Sequence, residues 1–281
     1  MSRDAWLEAH AFLRPVASLV ARVDAALAGV ETEAARIPDW DTYAEDFGAG
    51  VPLLSSLAAS IDLESSGRAV VALVEKLDAS RLPGPLAEET TRLRAELSGE
   101  AQAPRRIVGW LLGDGAFVPS SPGWLRYLGW TATARCLDPL VRAFDGWRND
   151  ERWMHPYCPT CGSAPAMAQL IGFDPGRKRF LACGCCSTRW QFGRTRCPFC
   201  REDAQRVSVV TVAGESGLRI DFCDLCKGYL KTLEGQTDET FLLADWTSLH
   251  LDLLAHDRGL KRRAVSLYDL EPLLSAAADP G

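Results

Sequence analysis

The chain has 281 residues, 47% of them hydrophobic, and a net charge of −6. A chain of that length can bury one large or two modest cores, and its composition excludes general disorder and a surface built wholly for nucleic acid. Ten cysteines are the unusual count.

The opening MSRDAWLEAHAFL is interrupted by Arg3, Asp4, Glu8 and His10, unlike the apolar stretch of a signal peptide, and no apolar run approaches the ~20 residues of a membrane span. A cytoplasmic location without membrane insertion is expected. In that reducing compartment, cysteines are expected to be metal ligands or reactive thiols rather than structural disulfides.

From Asp4 to about Leu27 the residues Trp6, Leu7, Leu13, Val16, Leu19, Val20, Val23 and Leu27 recur at mostly helical intervals, predicting a helix that Pro15 kinks. Ile37 to Val51 is rich in turn formers and aromatics and reads as a loop over a core. PLLSSLAASIDL, SGRAVVALVEKLDAS and PLAEETTRLRAEL read as helices bounded by Ser, Gly or Pro. The longest predicted helix runs from Pro122 to about Arg148. Its stripe is Leu125, Leu128, Ala132, Cys136, Leu140 and Phe144, widened by Leu137 and Val141, with a kink or break expected at Pro139. Cys136 lies on that stripe and is assigned to the core.

After Trp153 the texture changes. Short β-like runs, AMAQLIGF and RVSVVTV, replace helical periodicity, with a turn at Asp174 to Gly176 and with Gly214 and Gly217 closing the second run. ETFLLADWTSLHLDLLAHDRGL then returns to helix, with Leu242, Trp246, Leu249 and Leu253 on one face and Gly259 as its cap, and a short last helix is expected near Leu267 to Ala277. The expected organisation is α+β. A helical domain spans 1–153, four-cysteine modules span 154–192 and 193–235, and a C-terminal helical segment spans 236–281.

The stretch HPYCPTCGSAP, His155 to Pro165, could by itself hold a disulfide, a redox pair or half of a metal site. Three further C-x-x-C pairs decide among these. Cys158 with Cys161 and Cys183 with Cys186 are separated by 21 residues, and Cys197 with Cys200 and Cys223 with Cys226 by 22. The module repeats once, and each half supplies four thiolates for one tetrahedral site, because a tight turn brings both sulfurs of a pair to one point and a hairpin delivers the opposing pair. Pro159 and Pro198 follow the first cysteine of their pairs, and Gly162 follows a second cysteine, where a left-handed residue is wanted. Trp190 and Tyr229 follow the closing pairs and are expected to lie over the sites. No pair sits in the βαβ context of a thioredoxin-like redox motif. The extra thiol of CGCC, Cys185, has the wrong spacing and reads as a bystander. His155 reads as a loop residue, and His10, His250 and His256 as packing or surface residues. An all-sulfur tetrahedral site suits Zn(II) and a single iron equally.

Positive charge gathers in the same region: between Gly176 and Arg206 lie Arg177, Lys178, Arg179, Arg189, Arg194, Arg196, Arg201 and Arg206 against only Glu202 and Asp203. They either offset the roughly −2 charge of each metal–tetrathiolate centre or hold a partner, with Arg177, Lys178, Arg179, Arg194 and Arg196 as the partner-binding candidates.

The runs CPTCGSAPAMAQLIGFDPGRKRFLACGCCSTRWQFGRTRCPFC, CDLCKGYLKTL and LADWTSLHLDLLAHDRGLKRR resemble the FdhE-type formate dehydrogenase accessory proteins. The resemblance covers the module and following helix closely, and loosely the earlier half through FGAGVPLL. It joins the cysteine pairs, W-x-x-x-R-x-x-C-P-x-C and C-x-x-C-x-x-Y-L-K in order. It implies a helical N-terminal domain followed by two tandem rubredoxin-like or zinc-ribbon modules. Two metal ions, Zn(II) or Fe, would be held by Cys158, Cys161, Cys183 and Cys186 and by Cys197, Cys200, Cys223 and Cys226. It also implies a non-catalytic cytoplasmic role, in contact with the catalytic subunit of a respiratory formate dehydrogenase before its export. CGCC departs from the usual pattern by its added thiol. The alternatives are a zinc-ribbon nucleic-acid-binding protein, using those arginines with Phe180, Trp190 and Phe192, and a rubredoxin-like electron carrier. The acidic total weighs against the former. DnaJ-type chaperones also carry four cysteine pairs, but they repeat C-x-x-C-x-G-x-G, which this chain lacks.

Overall fold

The apolar periodicity of the first half is built as helices in a computed structural model that describes residues 2–173, 175–202, 206–215, 217–235 and 240–268. The chain divides into two compact units, one of residues 1–37, 61–145 and 267–281, the other of 38–60 and 146–266.

The first unit is helical. α1 (Arg3–Ala9) and α2 (Arg14–Ala28) replace the single kinked helix of the sequence reading, with a 3₁₀ turn between them. Pro15 lies in the first turn of α2, where its missing N–H costs nothing, so it starts a helix instead of bending one. α4 (Glu64–Lys76), α5 (Gly84–Leu97) and α7 (Pro122–Trp147) follow the predicted segments. Helix α7 runs through Pro139 unbroken and buries Leu125, Leu128, Ala132, Cys136, Leu137, Leu140 and Phe144, with Trp124, Tyr127 and Trp130 besides. The Trp124 indole is satisfied by Thr90 Oγ1 at 2.9 Å, as a buried N–H requires. Helix α6 (Ala103–Leu111) had no counterpart in the sequence reading. It packs closely on α4 at Gly67, where a Cβ would stand 2.2 Å from the Pro104 carbonyl oxygen, so only glycine allows the approach.

Two expectations fail in the second unit. PLLSSLAASIDL forms only a 3₁₀ turn at Leu53–Ser55, and the supposed loop of 37–51 holds α3 (Trp40–Gly48). Asp39 caps α3, and Trp40, Tyr43 and Phe47 share one helix face. Trp40 stacks on Trp147 at 5.2 Å and Phe47 on Trp153 at 5.3 Å. Burial of that aromatic face, hidden by the segment's turn-like composition, stabilises the helix.

The cysteine region forms β1 (Pro165–Ile171), β2 (Lys178–Cys183), β3 (Arg189–Gln191), β4 (Val207–Thr211), β5 (Leu218–Cys223), β6 (Gly228–Glu234) and the short β7 (Lys261–Arg262). Each four-cysteine half contributes an antiparallel three-strand meander, β1–β2–β3 and β4–β5–β6. The halves are fused into one sheet, ordered β3-β2-β1-β6-β5-β4, by parallel pairing of β1 with β6 from Met167↔Lys231 to Leu170↔Glu234. Both central strands are buried nearly throughout, as strands covered on both faces are.

The C-terminal segment folds less regularly than its periodicity suggests. Two 3₁₀ turns, Thr240–Leu243 and Asp245–Ser248, precede α8 (Leu249–Asp257), and β7 then pairs with the start of β6. The buried face of α8 is Leu251 and Ala255, whereas Leu253 is exposed. The helix expected near Leu267 to Ala277 lies, but for its first two residues, outside the described residues.

A buried ionic cluster fixes this segment. Lys231, fully buried on β6, meets Asp245 Oδ1 at 2.6 Å and Asp252 Oδ2 at 2.8 Å. Arg262 meets the same two carboxylates at 2.8 and 2.9 Å, and the Tyr229 hydroxyl donates to Asp252 at 2.6 Å. Burial works to raise the Asp245 carboxyl, but Lys231 and Arg262 overcome it and hold it below the usual range. Its contribution to stability is therefore present above about pH 4 and is lost as pH falls through the lower folded-state value. Lys231→Met leaves Arg262 alone to balance the buried Asp245 and the half-buried Asp252 and should destabilise this unit by about 3 kcal/mol at neutral pH. Urea unfolding should show that penalty shrinking as pH falls and Asp245 takes up a proton.

Candidate metal centres

Each C-x-x-C pair sits on a turn of the same construction. The residue after its second cysteine is left-handed in all four: Gly162 at φ 78°, Ser187 at 62°, Arg201 at 64° and Lys227 at 56°. That conformation folds the chain back so that its N–H bonds to the carbonyl of the pair's first cysteine: Gly162 to Cys158 at 2.9 Å, Arg201 to Cys197 at 3.0 Å and Lys227 to Cys223 at 2.8 Å. Backbone N–H groups also point at sulfur, from Cys185 to Cys183, from Phe199 to Cys197 and from Gly228 to Cys226, each at 3.4 Å. Three of the left-handed residues are not glycine, a local strain held by the surrounding ladder.

The hairpins then bring the turns together in pairs. Cys158, Cys161, Cys183 and Cys186 form one set and Cys197, Cys200, Cys223 and Cys226 the other, with the sulfurs of each set within 4.8 Å of one another. In the first set Cys158 approaches Cys186, and Cys161 approaches Cys183 and Cys186, at 3.5 Å. In the second, Cys197 approaches Cys226 at 3.7 Å and Cys200 approaches Cys223 at 3.6 Å. A disulfide needs about 2.05 Å, whereas four sulfurs at about 2.3 Å from a common tetrahedral centre stand about 3.8 Å apart. The separations therefore fit a shared metal ion and exclude paired disulfides.

Electrostatics point the same way. Contact with the neighbouring sulfurs, Cys158 first, raises the Cys183 thiol well above its ordinary value, and burial does the same to Cys186. Hydrogen bonding among the same sulfurs, Cys158 first, holds Cys161 well below it, and burial pushes Cys197 up to about 12. Packed together, the sulfurs cannot all ionise at neutral pH unless a cation compensates them, which a divalent or trivalent ion does.

Cys185 is buried but is not one of the converging sulfurs; Ser163 donates to its sulfur at 3.6 Å. Because the left-handed residue of this turn is Ser187, the pair is Cys183 with Cys186. His155 stacks on Tyr157 at 5.0 Å and packs edge-on to Trp153, and it belongs to neither set. The Trp190 indole donates to the His155 carbonyl at 3.2 Å, and Tyr229 belongs to the ionic cluster around Asp252.

The five basic candidates separate. Arg179 is only 3% exposed. It donates to the carbonyls of Gly193 and Arg196 and lies over the Phe192 ring at 5.3 Å. It is an internal tie between the two halves and offers no surface to a partner. Arg177 is half-buried and bonds Glu234 at 3.0 Å, while Lys178, Arg194 and Arg196 are exposed. Trp190 and Phe192 are buried, so they offer no platform on which bases could stack.

Residues 157–194 match the family model described as the FdhE central domain. A protein FdhE homolog from Stutzerimonas stutzeri is 36% identical over 121 residues, 42% of this chain and 39% of that one. One from Aquifex aeolicus is 32% identical over 113 residues, covering 39% and 40%, and protein FdhE of Escherichia coli is 30% identical over 115, covering 40% and 37%. The chain thus matches about two fifths of the length of these curated relatives. The crystal structure of the FdhE protein from Pseudomonas aeruginosa shares the fold, with a TM-score of 0.60 at 20% identity over 95% of this chain and 96% of that one. The cysteine region is therefore similar to the FdhE proteins and the chain shares their fold, with two four-cysteine clusters suited to metal binding and, among the described residues, no helix long and apolar enough to cross a membrane.

The turn geometry yields opposite expectations for two substitutions. At Gly162 a Cβ would stand 3.2 Å from Pro52 Cγ as well as adopting a left-handed φ, so Gly162→Ala should destabilise by about 1–2 kcal/mol. Arg201→Gly relieves the same strain at an entropic cost, and should raise stability by a few tenths of a kcal/mol or leave it unchanged. Denaturant titration of both variants checks the sign.

Proposed function

We propose that this chain is a non-catalytic accessory or maturation factor for respiratory formate dehydrogenase, binding the catalytic subunit in the cytoplasm before export. The observation that carries this reading is the FdhE central-domain match over residues 157–194, which contains the first four-cysteine set, beside a second set that converges in the same way. Each set would hold one Zn(II) or Fe ion, with Cys158, Cys161, Cys183 and Cys186 as ligands of the first and Cys197, Cys200, Cys223 and Cys226 of the second. When bound, the ions cross-link the turns and neutralise the thiolates, and the cysteine side chains otherwise serve only to hold them.

The catalytic subunit would be met by the exposed basic residues Lys178, Arg194 and Arg196, with Arg177 at the rim, through charge-assisted hydrogen bonds to an acidic surface. Arg177 and Lys178 stand at the start of β2, and Arg194 and Arg196 follow the edge strand β3. In this reading the modules are a rigid metal-stapled platform presenting charge to the partner.

Two measurements test the reading. Elemental analysis after anaerobic purification should find two metal ions per chain. Cys185→Ser should keep both, whereas Cys186→Ser should lose the first-site ion. The intact chain should co-purify with a formate dehydrogenase catalytic subunit and restore activity to a strain lacking its own accessory factor. Charge reversal at Lys178, Arg194 and Arg196 should weaken co-purification by at least tenfold, at unchanged metal content, roughly the loss of a few rim contacts. Undiminished binding would remove the basic edge as the contact surface.

A further inference from the structure

The two cysteine sets are enclosed unequally. The first is roofed by its own chain: the N–H groups of Leu53 and Leu54 bond the carbonyls of Pro159 and Thr160, inside the first turn, at 2.8 and 2.9 Å. Thr160 and Thr188 join the two turns through their hydroxyls at 2.7 Å, and Thr188 reaches the Cys186 sulfur at 3.2 Å. Three of its four cysteines are buried, and Cys161 alone is half-buried.

The second set has two half-buried cysteines, Cys200 and Cys226, and both line an open cleft of about 380 Å³. Tyr157, Gly162, Phe199 and Arg263 are among its other walls, and none of the first set's cysteines is. One cysteine from each opposed turn therefore lines the same open cleft.

The half-sites of this second set are also held differently. The turn bearing Cys223 and Cys226 is fixed from outside, since the Lys261 N–H bonds the Lys227 carbonyl at 2.7 Å and Arg263 bonds the Cys226 carbonyl at 2.8 Å. It leads into β6, which the buried Lys231 ties to Asp245 and Asp252. The turn bearing Cys197 and Cys200 is closed by bonds within itself, Arg201 N–H to Cys197 carbonyl and Cys197 N–H to Glu202 carbonyl, with Arg179 bonding the Arg196 carbonyl beside it. One half-site thus has anchors outside itself that the other lacks.

We infer that the second set is the exchangeable centre of the molecule, through whose cleft thiophilic metal ions enter and leave at Cys200 and Cys226, while the first set is a closed structural centre. This rests on the metal reading of both sets. Access decides the rate at which a bound thiolate meets a chelator, an incoming soft ion or an alkylating reagent, because each must reach sulfur directly. The anchored turn offers two preset ligands to a returning ion, so exchange does not require the sheet to unfold.

The full chain, shown by native mass spectrometry to carry two zinc ions, is treated anaerobically with EDTA and N-ethylmaleimide and sampled over time by intact-mass and peptide analysis. One ion should leave at least about tenfold faster than the other, with early labels on Cys200 and Cys226 and late ones on Cys158, Cys161, Cys183 and Cys186. Ala164→Trp, which crowds the cleft wall, should slow the fast phase and leave the slow phase unchanged. Loss of both ions at one rate, or first labelling in the first set, overturns the inference while leaving the metal reading intact. A chain that folds without holding any metal overturns both.

Discussion

Four sulfurs drawn to within 4.8 Å of one another inside a folded chain can be accommodated in few ways. Disulfides would shorten two contacts to about 2 Å and lengthen the rest. Neutral thiols would leave weak hydrogen bonds where the turns supply backbone N–H donors to sulfur. A shared cation satisfies the donors, the separations and the charge together. The remaining architecture of the second unit is an arrangement for meeting that condition twice. Left-handed residues shape the four turns, β-hairpins oppose them in pairs, and the parallel contact between β1 and β6 fuses the two halves into one sheet.

Fusion of the halves leaves β1 and β6 in the middle of the sheet with no open edge, and the C-terminal segment packs against them. Lys231 lies in the middle of β6 at the register position of Met167 on β1, where a lone ammonium would be untenable. The carboxylates of Asp245 and Asp252 and the guanidinium of Arg262 make the position possible, and in doing so draw α8 and β7 against the sheet. Tyr229 and Lys231, the aromatic and the lysine of C-x-x-C-x-x-Y-L-K, converge on the one carboxylate of Asp252. The motif residues beyond the cysteines thus serve as the dock for the chain that follows.

Much of this was legible in the sequence, and the exceptions have physical reasons. C-x-x-C spacing named all eight converging cysteines and set aside Cys185, because a turn geometry admits one spacing. Helical periodicity located α2, α4, α5 and α7, since each presents one apolar face to a core. It failed for α3, whose three aromatics sit among turn formers and depend on distant tryptophans for their burial. It missed α6, whose close approach to α4 depends on a single glycine. It also misjudged Arg179, which local charge counting placed with the surface arginines although its partners are two backbone carbonyls and a phenyl ring. The ionic cluster escaped for a similar reason. Tyr229 with Lys231 share a strand face and Asp245 with Asp252 stand two helical turns apart, but nothing local says that the two pairs meet.

Metal bound at both four-cysteine sets would hold the second unit folded. Hydrogen exchange read by mass spectrometry, on the anaerobically purified chain before and after removal of both ions by a chelator, tests it most directly. The amides of β1 to β6 should lose their protection when the ions are removed while those of α2, α4 and α7 keep theirs. Strand protection that survives complete metal removal would contradict it.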